Sequence, residues 1–482
     1  MLSTTLTSLL LVLLIGVSEG QDFTCPKAEG QFASDQNCRT FYQCVGFHPY
    51  TQRCPAGSLY DGAKHECVSR HAEVIKCGPQ PFEEKAEEKV VDPFASSPCD
   101  PIACVLPYCH CSHKGNKIPG GLKPSEVPQM IMLTFDGGVN DLNFDTYSKI
   151  FLQNRTNPNG CPIRGTFFVS HDYTNYRHVQ DFYSQGHEIA VGTISRRRGL
   201  EDEGEDTWIG EMVTMREILK TFGGVREVDI KGQRAPHLKP GREAQYEVLS
   251  AYGFTWDSTI NNPPTEEPVW PYSLEYQVPH ECRSGSCPQR SFPGVWEIPM
   301  NSHFRDFNYQ GGFCPYLDQC ALSYENEPEV LQWLIDDFNR HYKTNRSPYM
   351  MAMTTNWFQT KTLENALHAF IDYTMTLDDA YYVTVTEALQ WVTTPQRISE
   401  LNRFTPWDCT QKVLPEPPCE KGNSCKLSVN PKFDNSTETP AGTRYMVTCA
   451  ECPNIYPWVW DSTGLGLDRD VYQIFSGDPA TA

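Results

Sequence analysis

The sequence predicts an α/β fold, a parallel sheet closing into a (β/α) barrel, preceded by a small disulfide-rich β module. Three observations carry this. From about Gln129 onward, short apolar runs alternate with helix-periodic segments, the pattern of successive strand–helix units. The apolar run 130–133 leads through Thr134 and Phe135 into Asp136 and two glycines, an acid at the end of a buried strand where such folds place functional groups. Six cysteines fall within residues 25–77, a segment too small to be held by a core alone.

The chain begins with an apolar run over residues 6–17, and Ser18 and Gly20 are the small residues of a cut before Gln21. This reads as a secretory signal peptide over 1–20, too short to span a bilayer, on a secreted and unanchored protein. Twenty cysteines, an even number, agree with an oxidising compartment. Sequons at Asn154, Asn345 and Asn435 fit glycosylation, with Asn345 weakened by Pro348. A net charge of −20 argues against nucleic acid and against anionic membranes as partners. It suits a neutral polymer, a cationic partner or a mineral surface.

Residues 21–78 form the first unit. Cys25, Cys38, Cys44, Cys54, Cys67 and Cys77 are expected to form bridges, with the pairing left open because six cysteines allow fifteen arrangements. Phe32, Phe41, Tyr42, Phe47, Tyr50 and Tyr60 lie between them. So many rings in so small a domain must be partly exposed, and exposed rings on a rigid frame stack on sugar faces. Residues 79–98 are a Pro-punctuated, charged linker. Cys99, Cys104, Cys109 and Cys111 follow with His110 and His113 interleaved; in a secreted chain, bridges are expected there rather than zinc.

The barrel is predicted over 99–403. After the strand ending at Asp136 come a strand over 165–170, a helix over 176–185 and a strand over 186–191. An amphipathic helix over 208–221 follows, then a strand ending at Arg234, a helix over 245–252 and a strand over 254–257. Strands over 296–301 and 349–354 flank a helix over 327–343; a helix over 363–373 and a last strand over 381–385 close the series. Residues 404–482, with five cysteines, are expected to wrap back as an extension. Asp136, Arg234, Asp257 and Asn301 each end a strand, so a barrel brings them to one face. An acid beside an arginine and a second acid is the arrangement of a general base with its orienting partners.

Two resemblances sharpen this. The cysteine spacing, with Phe41-Tyr42-Gln43-Cys44 and Cys54-Pro55-Ala56-Gly57-Ser58-Leu59-Tyr60-Asp61, resembles the peritrophin-A chitin-binding module, although the first gap is at the short end of that family's range. The resemblance implies chitin as ligand, with Phe41, Tyr42 and Tyr60 on the binding face. Thr134-Phe135-Asp136, Gly186-His187-Glu188-Ile189-Ala190-Val191, Arg234-x-Pro236-x-Leu238, Trp256-Asp257-Ser258-Thr259 and Trp357-Phe358 resemble the five motifs of polysaccharide deacetylases, of arthropod chitin deacetylases in particular. The tail through Cys449-Ala450-Glu451-Cys452-Pro453 is similar to theirs as well. This implies a distorted (β/α) barrel that normally removes the N-acetyl group of chitin with a divalent metal such as zinc.

The family holds that metal with one aspartate and two histidines, to make a water nucleophilic at neutral pH. Carried onto this chain, those positions fall on Gly137, Gly192 and Arg196, and the general-acid histidine falls on Thr354. Glycine offers no ligand atom, arginine does not deprotonate and repels a dication, and threonine does not titrate near neutrality. No cofactor is therefore expected, and Arg196 is expected to fill the vacated space by pairing with Asp136. Trp208, Trp256, Trp270, Trp296 and Trp357 remain to stack on sugar.

The expectation is a secreted, chitin-binding, deacetylase-like protein without catalysis, organising a chitinous matrix, with other matrix proteins as further partners. The alternatives are a hydrolase using a displaced metal, for which His171, His178, His187 and His303 are candidates, and an acidic mineral-associated protein for which chitin is only a tether.

Overall fold

A computed structural model describes residues 23–34, 38–55, 58–69, 92–152, 154–305, 312–320, 326–429 and 442–466. The leader, Cys77 and Asn435 lie outside the described residues. The chain divides into two compact units, Met1–Val91 and Asp92–Ala482.

In the smaller unit, strand Thr40–Val45 is the centre of an antiparallel sheet, with Glu29–Ala33 on one side and His48–Arg53 on the other. A separate hairpin pairs Ser58–Asp61 with Glu66–Ser69. Bridges Cys25–Cys44 and Cys54–Cys67 tie the parts. Cys25, Phe32, Cys44, Cys54 and Tyr60 are nearly all of its buried apolar residues, so the bridges replace a core that so short a chain cannot build.

The larger unit is organised by one nine-stranded sheet. Strand Gln129–Gly137 lies between Gly165–Val169 and Tyr349–Met353, parallel to both, and Ala380–Tyr382 pairs with its first residues. The order continues outward through Glu188–Val191, Gly232–Gln233, Trp256–Asp257 and Trp296–Glu297 to Tyr272–Ser273, which alone is antiparallel. These strands carry apolar side chains on both faces. Ile131, Leu133, Phe135, Phe167, Val169, Ile189, Val191, Met351 and Met353 face the core beneath the surrounding helices. Met130, Met132, Phe168, Ala190, Met350 and Ala352 face a second core with Trp256, Trp296 and Trp391. A period of two along each strand assigns the faces, so Thr134 and Asp136 share the inner face with Met130 and Met132. The sheet curls around this inner core without closing its hydrogen-bond ring: Met300–Asn301, expected to extend the strand from Trp296, pairs instead with Asn261–Asn262.

The predicted helices stand at Tyr176–Ser184, Arg242–Ala251, Glu327–Tyr342 and Lys361–Thr374. The one expected over 208–221 is a composite, Glu205–Trp208, a π-turn at Ile209–Val213, then Thr214–Gly223. Two helices escaped the sequence reading. Phe144–Ile150 is short. Val385–Thr393 begins where a strand was expected to end, and its signal was a capping box: Thr384 accepts from the Glu387 amide, and Glu387 accepts from the Thr384 amide.

Residues 92–98, assigned to the linker, pack on the larger unit: Asp92 pairs with Arg290 at 2.6 Å, and Ser96 donates to the Gln289 carbonyl. Cys99–Cys111 and Cys104–Cys109 are bridges, not metal ligands. The extension is anchored by Cys161–Cys409, and by a hairpin, Asn423–Ser428 with Thr443–Thr448, crossed by Cys419–Cys449 and Cys425–Cys452. Its Tyr456 and Trp458 enter the outer core. Among the described residues no helix is long and apolar enough to cross a membrane.

Candidate functional site

The carboxyl ends of the strands converge on Asp136. Its Oδ1 accepts from Arg234 Nη1 at 2.6 Å, and its Oδ2 accepts from the Tyr316 hydroxyl at 2.6 Å. Arg234, 1% exposed, is held on every side. It donates to Thr134 Oγ1, to the Ser258 carbonyl and to Ser258 Oγ, and its guanidinium lies 3.8 Å over the Phe168 ring. Tyr316 was missed in the sequence. It comes from Phe313–Gln319, a segment without strand or helix periodicity, drawn into a loop by the Cys314–Cys320 bridge. The same loop contributes Asp318, whose carboxylate accepts from the Thr354 amide at 2.9 Å and from Thr354 Oγ1 at 3.0 Å. Burial pushes the Asp318 carboxyl up, against the pull of these Thr354 hydrogen bonds.

Asp257 stands apart from this pair. It is wholly buried and accepts from Gln233 at 2.6 Å, Thr259 Oγ1 at 2.7 Å, Gln245 at 3.0 Å and Tyr246 at 3.2 Å. No hydrogen bond joins it to Arg234, which on this side donates to Ser258, the next residue along. Burial pushes Asp257 up, and Glu297, buried beside it, is pushed higher still by burial and by the Asp257 charge. These hydrogen bonds fix Asp257 among the strand ends.

The positions to which the resemblance assigns a metal do not fit one. Gly137 adopts φ +125°, a backbone that an L side chain rarely takes, and a Cβ built there meets Arg196 Nη1 at 3.7 Å. Gly192 packs against the neighbouring strand so closely that a Cβ would lie 2.8 Å from the Phe168 carbonyl oxygen. Gly192 therefore has no room for the ligand that the family places there, and at Gly137 the backbone conformation, not space, disfavours one. Arg196, at φ +50°, brings its guanidinium beside Gly137 but does not ion-pair with Asp136. Arg234 and Tyr316 supply the Asp136 partners instead, one donor to each carboxylate oxygen. Thr354 is spent as a cap, donating to Asp318 and accepting from the Asn356 amide.

The loop bearing Gly192 and Arg196 is shaped by a residue that sequence reasoning passed over. Glu211 lies in the π-turn, 1% exposed, and its carboxylate accepts from the amides of Ile194 at 3.0 Å and Ser195 at 2.9 Å and from the Ser195 hydroxyl. π-Turns recur at functional sites, and this one aims an acid at a loop in which Thr193 and Arg196 both have positive φ. An isolated Glu amid Ile209, Met212 and Met215 was the available signal.

The four histidines proposed as substitute ligands each have one ring nitrogen engaged within the fold. His187 accepts from the Gly165 amide and is held down to about 3 by burial; His303 pairs with Asp337 at 2.5 Å; His171 contacts Tyr176; His178 pairs with Asp141 at 2.7 Å. The five tryptophans expected to stack on sugar are core: Trp208, Trp256, Trp270 and Trp357 are fully buried and Trp296 is 5% exposed. Large rings on two-sided strands and on helix faces are the cheapest apolar area to bury.

In the smaller unit, Tyr60 is also core, stacked on Phe41 with centroids 4.5 Å apart, and Tyr42 stacks on Phe23 at 4.0 Å. The open rings are Phe47 and Tyr50, 64% and 55% exposed, at the turn into and along strand His48–Arg53, every residue of which is exposed. Asn154 is exposed, as a glycan acceptor must be. Asn345 is buried and its amide donates to the Asn116 and Pro268 carbonyls.

A curled sheet with an acid–arginine pair at its carboxyl ends, in a chain that also carries a disulfide-framed β module, is the α/β architecture that the deacetylase resemblance implied. Residues 25–77 match the chitin binding Peritrophin-A domain family. Chitin deacetylase 1 of Bombyx mori is 34% identical over 486 residues, spanning 89% of this chain and 88% of that protein. Chitin deacetylase 8 of Bombyx mori is 32% identical, spanning 77% of this chain and 94% of that one. The peptidoglycan deacetylase of Bacillus subtilis superposes over 60% of this chain and the whole of its own, at 13% identity and a TM-score of 0.33. The chain belongs to the chitin deacetylase family, within the polysaccharide deacetylases.

Proposed function

We propose that the protein is secreted, binds chitin, and organises a chitinous extracellular matrix without deacetylating it. Chitin as partner is supported by the match of residues 25–77 to the chitin-binding family and by relatives named as chitin deacetylases. Secretion is supported by the leader and the dense disulfides.

The observation that carries the absence of catalysis is the donor set. Gly137, Gly192 and Arg196 stand where the family needs two imidazoles and a carboxylate, and Gly192 has no space for any side chain. A water beside Asp136 then has no Lewis acid to lower its pKa, and no step through a metal is available. Thr354 has no proton to deliver to a leaving amine at neutral pH. What remains, Asp136 locked between Arg234 and Tyr316, is a rigid polar floor suited to holding a sugar hydroxyl.

The test is acetate release from chitin oligomers by the full chain, with and without added zinc or cobalt, beside retention on chitin. The expected result is retention without acetate above the buffer background. Acetate that rises with added metal would overturn the reading.

A further inference from the structure

A second cleft opens at the other end of the barrel. Its volume is about 550 Å³, within the range of small-ligand sites. It lies where strands begin rather than end: Glu188 starts one, Lys231 precedes another, and Thr386 stands in the first turn of helix Val385–Thr393. Pro406 and Leu414 of the extension form the facing wall, which Cys161–Cys409 holds in place. Gly186, His187 and Glu188, which open one of the deacetylase motifs, line it, but Asp136, Arg234 and Asp257 do not.

The charge state of the lining is unusual for a chain of net −20. Every carboxylate in it is already committed. Asp229 accepts from Arg226 at 2.7 Å and from Tyr183 at 2.5 Å; Glu387 pairs with Lys412 and caps the helix; Glu188 accepts from Thr166 and from the amide and hydroxyl of Thr386. Lys231 is the exception. Among the described residues its ammonium has no ion-pair or hydrogen-bond partner, although it is half-buried in the wall. Arg164, behind Gly186 and outside the lining, is buried and pairs with Glu387 at 3.9 Å. The cleft thus offers one ammonium without a protein partner, with hydroxyl and amide groups of Thr405, Gln390 and Gln411 and the apolar faces of Pro406 and Leu414 around it. A small ion would not need that volume or those apolar faces, and an apolar ligand would leave Lys231 buried and unpaired.

We propose that this cleft binds a small polyhydroxylated anion, a sugar carrying a carboxylate or a sulfate, with Lys231 as its counter-charge. A saccharide of this kind fills the volume, meets the amides with its hydroxyls and stacks its C–H faces on the proline wall. Such a ligand would connect the protein to acidic matrix glycans by a face separate from any that meets neutral chitin.

The test is titration calorimetry on the full chain with three probes: a glucuronate-containing disaccharide, a sulfated N-acetylglucosamine dimer, and the neutral dimer. At least one anionic probe is expected to bind, more weakly as salt rises. K231M and K231Q are each expected to weaken that binding by about tenfold, the loss of one charge-assisted contact, with thermal melting and chitin retention as in the wild type. Which anionic probe binds tells carboxylate from sulfate. Failure of both anionic probes, or equal binding to wild type and both variants, would overturn the proposal. Neither outcome bears on acetate release, so this site and the proposed function fail separately.

Discussion

The Asp136–Arg234 pair predicts a large and specific stability loss when one partner is removed. Arg234→Met keeps the stem against Phe168 and deletes the guanidinium. Asp136, its side chain 5% exposed, would keep only the Tyr316 hydroxyl, and Thr134 and Ser258 would lose their donor. Breaking a buried ion pair in this way costs about 3–5 kcal/mol, because the surviving charge stays buried without compensation. For the unit Asp92–Ala482, with about 2 cal/mol/K of unfolding entropy per residue, this is a fall in Tm of about 4–6 °C. Adding Asp136→Asn removes the stranded charge, so the double variant is expected to melt above the single one although it lacks more of the native network. Differential scanning calorimetry of the wild type, both single variants and the double variant gives the cycle. A single variant within about 1 °C of wild type, or a double variant no better than R234M, would show that the pair is not the buried, mutually dependent unit described here.

Other outcomes follow from the same geometry. Phe47→Ala with Tyr50→Ala is expected to cut retention on chitin at least about tenfold with the module still folded, whereas Tyr60→Ala should lower the module's own stability by about 3–5 kcal/mol; equal loss of retention in both, at unchanged melting, would restore Tyr60 to the binding face. Gly192→His should destabilise by more than about 2 kcal/mol, since its Cβ meets main chain, and Gly137→Asp with Arg196→His should leave zinc affinity, read by competition with a chromophoric chelator, no better than that of the unmodified chain. The buried Asp257–Glu297 pair titrates above the ordinary carboxylate range, while its unfolded counterparts titrate near pH 4. Between those values the folded state holds more protons, so stability falls as pH rises through that window. Glu297→Gln should flatten this slope, and melting curves from pH 4.5 to 8 with the wild-type slope would refute it.

Strand positions were the most legible part of the molecule. The run from Met130 to Phe135 is apolar throughout because a parallel strand is covered on both faces, and the same holds from Gly165 to Val169 and from Tyr349 to Met353. The helix at Val385–Thr393 was legible too, through Thr384 and Glu387, but was passed over, only its first residue having been read, as the end of a strand. Tyr316, Asp318 and Glu211 were not legible in this sense. Each acts across a long stretch of chain, on Asp136, Thr354 and Ser195, and no local period marks such a residue.

The sequence by itself determined the module and barrel classes, the strand ends that gather Asp136 and Arg234, and the residue types that stand at Gly137, Gly192, Arg196 and Thr354, because those follow from residue type and short-range pattern. Only the tertiary structure decided which rings are open, that Asp257 is buried among four donors, that Arg196 stands beside Gly137 without pairing to Asp136, and that a cleft lies under the extension. Burial and partner choice depend on what folds over a residue from far along the chain, and an aromatic or an acid looks the same in sequence on either side of that boundary.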